Sequence, residues 1–175
     1  IARHRVTVVF LVPPVASYLA TAPAAEGIDL SCLRAVVSGG AALDPSIARN
    51  LAERLDTLVL QGYGLTEASP VCVAMREGAG HSVEGVGVPL PGVRCRVVDP
   101  TTGRDVPLPR ECATSALGEL WVSGPNVMAG YLDRPVETAL VLDSEGWLHT
   151  GDIASIDGTG QVRVVDRLKE LITTR

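Results

Sequence analysis

Strand and helix signals alternate through the first seventy residues, and this alternation restricts the fold more than any other feature of the chain. Arg5 to Val12 is a continuous β-branched and apolar run, the pattern of a strand buried on both faces. Pro13-Pro14 stops it, and Val15 to Ala22 reads as a short helix. Arg34 to Val37 is the next strand and ends at the Gly39-Gly40 turn. Asp44 before Pro45 is an N-cap with proline at the first helical position. Ile47, Ala48, Leu51, Ala52 and Leu55 then form one apolar stripe, while Arg49, Glu53 and Arg54 face away. Leu58 to Leu60 is a third strand. Strand, helix, strand, helix, strand implies an α/β layer with a parallel sheet and right-handed crossovers. Ligands of such sheets sit beyond the carboxyl ends of the strands. Gly39-Gly40 follows the second strand and Gly62 to Glu67 the third, so both loops open on the same edge.

After about residue 85 the pattern changes. Gly85, Gly87, Pro89, Pro91-Gly92, Pro100 and Gly103 punctuate short β-rich runs, among them Arg94 to Val98 and Glu119 to Val122. Arg134-Pro135 to Leu142 is the helical piece, followed by strands near Trp147 to His149 and Gln161 to Val165. Frequent turns between short strands predict a small barrel or sandwich. The stretch Pro107 to Leu117 reads as a surface loop.

Composition removes several classes of function. A formal net charge of -5 does not favour nucleic acid, whose partners carry basic patches. No apolar run approaches the ~20 residues that span a bilayer. Cys32, Cys72, Cys95 and Cys112 lie far apart, which fits reduced thiols in a cytosolic protein rather than zinc or a disulfide framework. His4, His81 and His149 have no metal-ligand spacing. Nothing in the sequence sets an oligomeric state. The chain starts at Ile1 without a signal-peptide pattern and stops at Arg175 directly after a patterned segment, which reads as an internal fragment of a longer polypeptide.

Chemistry concentrates in Gln61-Gly62-Tyr63-Gly64-Leu65-Thr66-Glu67. Glycines let backbone approach a ligand closely. Tyr63 offers a flat face, Thr66 a hydroxyl suited to phosphate, and Glu67 a hard oxygen ligand suited to Mg²⁺. By itself the segment reads equally well as a nucleotide loop or as a capped turn. Asp152, after Thr150-Gly151, is by spacing alone an ordinary turn aspartate. Asp166 to Glu170 is by charge alone a solvated turn.

Further segments stand in a fixed order around that loop: Ser38-Gly39-Gly40-Ala41, Gly118-Glu119-Leu120-Trp121-Val122 running on to Gly130-Tyr131-Leu132, Gly146-Trp147-Leu148-His149-Thr150-Gly151-Asp152, and Asp166-Arg167-Leu168-Lys169-Glu170-Leu171-Ile172. With them the chain resembles the adenylate-forming acyl-activating enzymes, most closely the branch of 4-coumarate–CoA ligases, acyl-CoA synthetases and beetle luciferases. The resemblance implies part of that family's large N-terminal domain, in which an α/β layer joins a distorted β-barrel. Residues 1–84 would be the C-terminal part of the nucleotide- and acyl-binding subdomain, 85–165 the barrel-like subdomain, and 166–175 the hinge to a further domain. It implies a cytoplasmic enzyme that uses ATP, Mg²⁺ and CoA to activate a small carboxylic acid as acyl-AMP and pass it to the thiol. Gly39, Gly40 and Ala41 would line the adenine and Tyr63 would pack against it. Thr66 would contact the α-phosphate and Glu67 would hold Mg²⁺, while Asp152 and Arg167 would take the ribose. Gly64, Pro70 and Val71 would border the acyl pocket, and Lys169 would be the hinge.

The chain also departs from that pattern. The family's phosphate loop ending in Pro-Lys would lie upstream of Ile1, and the lysine of its small domain beyond Arg175. Ala42 stands where proline is frequent, and Ile172 to Arg175 lacks the basic, glycine-containing sequence usual after the hinge. Transfer to a carrier-protein thiol, luciferase-like chemistry with oxygen, and a non-catalytic remnant are the alternatives. The 175 residues alone are expected to be poorly soluble and without adenylating activity.

Overall fold

The apolar run near the N-terminus forms β1 (Val8–Leu11), and the proline pair after it opens α1 (Pro13–Thr21). The structure, a computed structural model, describes residues 1–22, 27–78, 84–109 and 113–170. His81, Cys112, residues 171–175 and part of the 107–117 stretch lie outside the described residues.

Leu33 leads into β2 (Ala35–Ser38), and α2 (Pro45–Leu55) returns the chain to β3 (Leu58–Gly64). β1 pairs with β2, and β2 with the first half of β3, all in parallel. The Asp44 cap is realised: its Oδ1 accepts from the backbone N–H of Ser46 at 2.7 Å and of Ile47 at 3.4 Å. This satisfies amides that a helix start leaves without partners. Ala16, Val36, Leu43, Ala48 and Leu51 form one core, so both helices cover the same face of the sheet. Arg54 ties them together by donating to the carbonyls of Ala20 and Ala22 at the end of α1.

β1 corrects the expectation of burial on both faces. It is the edge strand of this sheet, and Phe10 on the face away from the helices is 79% exposed. A continuous apolar run is compatible with two covered faces, but among the described residues only one face is covered.

A second correction concerns residues 62–64, read from the sequence as loop. They continue β3, which changes partner there and runs antiparallel to β4 (Val71–Ala74). β4 in turn pairs with β5 (Val88–Pro89), giving the order β1-β2-β3-β4-β5. The glycines that looked like strand breakers permit this approach: a Cβ at Gly64 would lie 1.7 Å from the Pro70 carbonyl oxygen.

β6 (Arg94–Val98), β7 (Gly118–Ser123), β8 (Leu148–Ile156) and β9 (Val162–Arg167) form a four-stranded antiparallel sheet in sequence order, with α3 (Pro135–Val141) between β7 and β8. The two sheets share one core, in which Ala68, Cys72 and Val73 meet Val97, Leu120, Val122, Leu148 and Val162. A backbone seam joins them, since Val162 N–H donates to Gly87 and Val86 N–H to Val162, at 2.7 and 2.8 Å.

Cys32, Cys72 and Cys95 are free thiols. Burial pushes the thiols of Cys72 and Cys95 up to about 12. At pH 8 only about one in 10⁴ of each is thiolate, the reactive form. Iodoacetamide at pH 8 is therefore expected to label the partly exposed Cys32 well before Cys72 or Cys95, read by peptide mass mapping. Equal labelling of all three would contradict this packing.

Candidate active site

The carboxyl ends of β2 and β3 open on a groove of about 630 Å³. Gly39, Gly40, Tyr63, Gly64, Thr66, Pro70 and Val71 all line it, so seven of the residues singled out from the sequence meet there. Phe10, Leu11, Val12 and Val37 complete a largely apolar wall. Gly40 turns the chain at φ +86, a left-handed conformation that favours glycine. Ala41 is exposed and outside the lining. Ser38 is 1% exposed, and its hydroxyl has no hydrogen-bond partner among the described residues.

Tyr63 leads from the groove to Asp152. Its hydroxyl donates to Asp152 Oδ2 at 2.6 Å across 89 residues of sequence. Arg167 donates from Nε to the other carboxylate oxygen at 3.1 Å. Asp152 is buried, whereas the Arg167 side chain is 66% exposed, so the ion pair has one side open to solvent. Burial raises the Tyr63 phenol far above its ordinary value, and the bond to Asp152 adds to the rise. Tyr63 is thus held as a donor at any physiological pH. A carboxylate has about four acceptor sites, so these two bonds leave capacity for a ligand's hydroxyls.

The turn reading of Asp152 does not hold: it lies within β8. Glu119 of β7 faces Ile153 and Trp121 faces His149, so three residues of β8 (Thr150, Gly151 and Asp152) stand opposite Leu120 alone. Two extra residues keep the strand's alternation, so Asp152 faces the same side as the core residues Leu148, Ala154 and Ile156, and the bulge lies directly before it, a common feature beside ligand sites. Thr150 supports it, donating to the Leu120 carbonyl at 2.7 Å and accepting from the Asp152 N–H at 3.1 Å.

Glu67 sits in the short 3-10 turn Thr66–Ala68 that follows β3. Its Oε1 accepts from the Tyr131 hydroxyl at 2.7 Å, and that bond, ahead of desolvation, raises the Tyr131 phenol. The 124–131 segment is fastened to this turn. Met128 N–H donates to the Glu67 carbonyl at 2.8 Å, and Asn126 Nδ2 donates to the carbonyls of Ala68 and Val71. Among the described residues no group of three or more His, Cys, Asp or Glu could hold a metal ion. One carboxylate oxygen beyond the Tyr131 bond nonetheless fits Mg²⁺, which takes one or two carboxylates and completes its shell with phosphate and water oxygens. Lys169 is exposed in the turn Leu168–Glu170 after β9, apart from the groove lining.

Tyr131, Asn126, Thr150 and Glu119 were not assigned roles from the sequence. Tyr131 carried the strongest signal, being one of only three tyrosines and following Gly130.

The strand-end groove of the α/β layer thus adjoins the Tyr63–Asp152–Arg167 cluster. Residues 1–132 match the family described as AMP-binding enzyme, and the chain belongs to that family. It is 39% identical over 178 residues to 4-coumarate–CoA ligase 1 of Oryza sativa subsp. japonica, covering 99% of this chain and 30% of that protein. It is 42% identical over 175 residues to 4-coumarate–CoA ligase-like 2 of Arabidopsis thaliana, covering 97% of this chain and 30% of that one. Among solved structures, ATP-bound MatB from Rhodopseudomonas palustris superposes with a TM-score of 0.86 at 32% identity, over 97% of this chain and 32% of its own. The amide bond synthetase McbA from Marinactinospora thermotolerans gives 0.85 at 38% identity, over 99% of this chain and 34% of its own. The chain thus spans about a third of the length of the proteins it matches.

Proposed function

We propose that the polypeptide carrying this chain is an AMP-forming acid–thiol ligase, which activates a carboxylic acid as acyl-AMP and transfers it to CoA. The carrying observation is the joining of the groove to the buried Asp152 carboxylate through Tyr63. ATP supplies the phosphorus that the acid attacks, with pyrophosphate as the leaving group. The ring of Tyr63 and the backbone of Gly39, Gly40 and Ala41 hold the base. Asp152, oriented by Tyr63 and Arg167, accepts from the ribose hydroxyls. Thr66 contacts the α-phosphate, and Glu67 provides the carboxylate for Mg²⁺. Placing two anions together and neutralising the developing charge is most of the catalytic work.

Gly64, Pro70 and Val71 border the acid's end of the groove. Its apolar wall favours an aryl or alkyl chain over a charged one. Lys169 is the hinge to a further domain. Residues 1–84, 85–165 and 166–175 act as nucleotide and acyl layer, second subdomain and hinge. The core shared between the two sheets supports reading the first two as parts of one unit. No helix among the described residues is long and apolar enough to cross a membrane. A cytoplasmic location belongs to the same proposal and is supported by the free cysteines.

The test is ATP–pyrophosphate exchange by the full-length polypeptide across a panel of carboxylic acids. Acid-dependent exchange is expected, with Glu67→Gln raising the half-maximal Mg²⁺ concentration by roughly tenfold through loss of one charged ligand. Failure of every aryl and alkyl acid to support exchange would remove the ligase reading.

A further inference from the structure

The β8 bulge leaves two backbone amides and one indole to be satisfied by something other than a regular strand ladder. Gly151 stands in it at φ +71, and its N–H points away from the Leu120 carbonyl that Thr150 occupies. Glu119 resolves both remaining donors with one carboxylate. Oε1 accepts from Gly151 N–H at 3.0 Å, and Oε2 accepts from Trp121 Nε1 at 2.8 Å. Trp121 is itself fixed. It stacks on His149 at 3.6 Å between centroids with 16° between planes, and the Arg96 guanidinium lies 4.6 Å from its ring centroid. The carboxylate therefore ties the bulge residue next to Asp152 to a ring clamped on both sides.

We propose that Glu119 is a positioning residue for the nucleotide site: it pins the Gly151 bulge to Trp121 and so sets where the Asp152 carboxylate stands. The proposal rests on the reading of Asp152 as the ribose acceptor. Glu119 itself contacts neither Tyr63 nor Arg167 by hydrogen bond among the described residues, so it acts through the backbone. Without it, Gly151 N–H loses its charged acceptor in a half-buried place, and the two extra residues of the bulge are no longer held, so the Asp152 carboxylate is displaced along the strand from its place beside Tyr63.

The experiment is calorimetric titration of the full-length polypeptide with AMP and with 2′,3′-dideoxy-AMP. Glu119→Ala is expected to weaken AMP by about tenfold, the worth of one charge-assisted hydrogen bond, and to leave the dideoxy nucleotide unchanged. Combined with Asp152→Ala, it should add nothing to the loss that Asp152→Ala causes alone. An equal loss for both nucleotides, an additive double variant or unchanged AMP affinity overturns the positioning role while leaving the ribose assignment standing. If Asp152→Ala alone leaves AMP affinity intact, the ribose assignment falls, and the role of Glu119 with it. Should Glu119→Ala fail to fold, Glu119→Asp draws the carboxylate back by one methylene and gives the same AMP-to-dideoxy comparison.

Discussion

Asp152→Ala in the full-length polypeptide is expected to lower acid-dependent ATP–pyrophosphate exchange by at least about 100-fold, or about 2.7 kcal/mol of transition-state stabilisation. Two effects add. The ribose hydroxyls lose a buried carboxylate acceptor, which is worth more than an exposed one because water does not replace it readily. Tyr63 also loses the acceptor of its hydroxyl, so the ring that we propose packs against the base is no longer fixed at its far end. Burial of that phenol makes the orphaned donor costly. Asp152→Asn separates the effects: its remaining oxygen can still accept from Tyr63, while the charge facing Arg167 is gone. The asparagine variant should accordingly fall between wild type and alanine. Thermal unfolding of each variant checks that the fold survives. Full exchange by a folded Asp152→Ala protein would sink the site assignment.

What the sequence made legible follows the range of the interaction concerned. The Asp44-Pro45 cap and the stripe of α2 are local, and the helix starts where they say. The run Arg94 to Val98 is β6 without adjustment, because turn residues bracket it on both sides. The burial of β1 could not be read locally, since a run of valines and leucines does not state how many faces are covered. The glycines at 62 and 64 mislead for a physical reason. Local rules treat glycine as a breaker, but here it admits β4 against the strand, a contact set by chain from outside the motif. Asp152 misleads in the same way: Gly151 does adopt a left-handed turn-like conformation, but inside a bulged strand rather than between strands. Seven of the groove's lining residues are legible through glycine spacing and family resemblance, whereas Phe10, Leu11, Val12 and Val37 join them only through the sheet. The bond from Tyr131 to Glu67 spans 64 residues, so although both segments stand out in the sequence, neither states that the two side chains meet.

Gly87→Ala is expected to destabilise the protein by at least about 3 kcal/mol, a loss at the severe end for a single added methyl. Gly87 stands at φ +101, where a Cβ costs about 1–2 kcal/mol by itself. Steric contact costs more, since that Cβ would lie 2.0 Å from the Ala74 carbonyl carbon and 2.2 Å from the Met75 nitrogen. Both are backbone atoms of the strand packed beside it, so no side chain can swing aside. Relief requires β4 and β5 to separate, or Gly87 to release its bond with Val162, the seam between the two sheets. Gly103→Ala is the matched control, with φ +67 and nothing within 4 Å of its Cβ. It should cost only the conformational penalty, about 1 kcal/mol. The difference between the two urea midpoints thus isolates the steric contribution of the seam. Neither residue lines the groove, so any fall in exchange by a still-folded Gly87→Ala protein would measure how firmly the seam holds β8 and Asp152 against Tyr63. Equal midpoints for the two variants would show that the sheets are free to move apart at Gly87, and that their shared core, not the backbone seam, sets the geometry of the site.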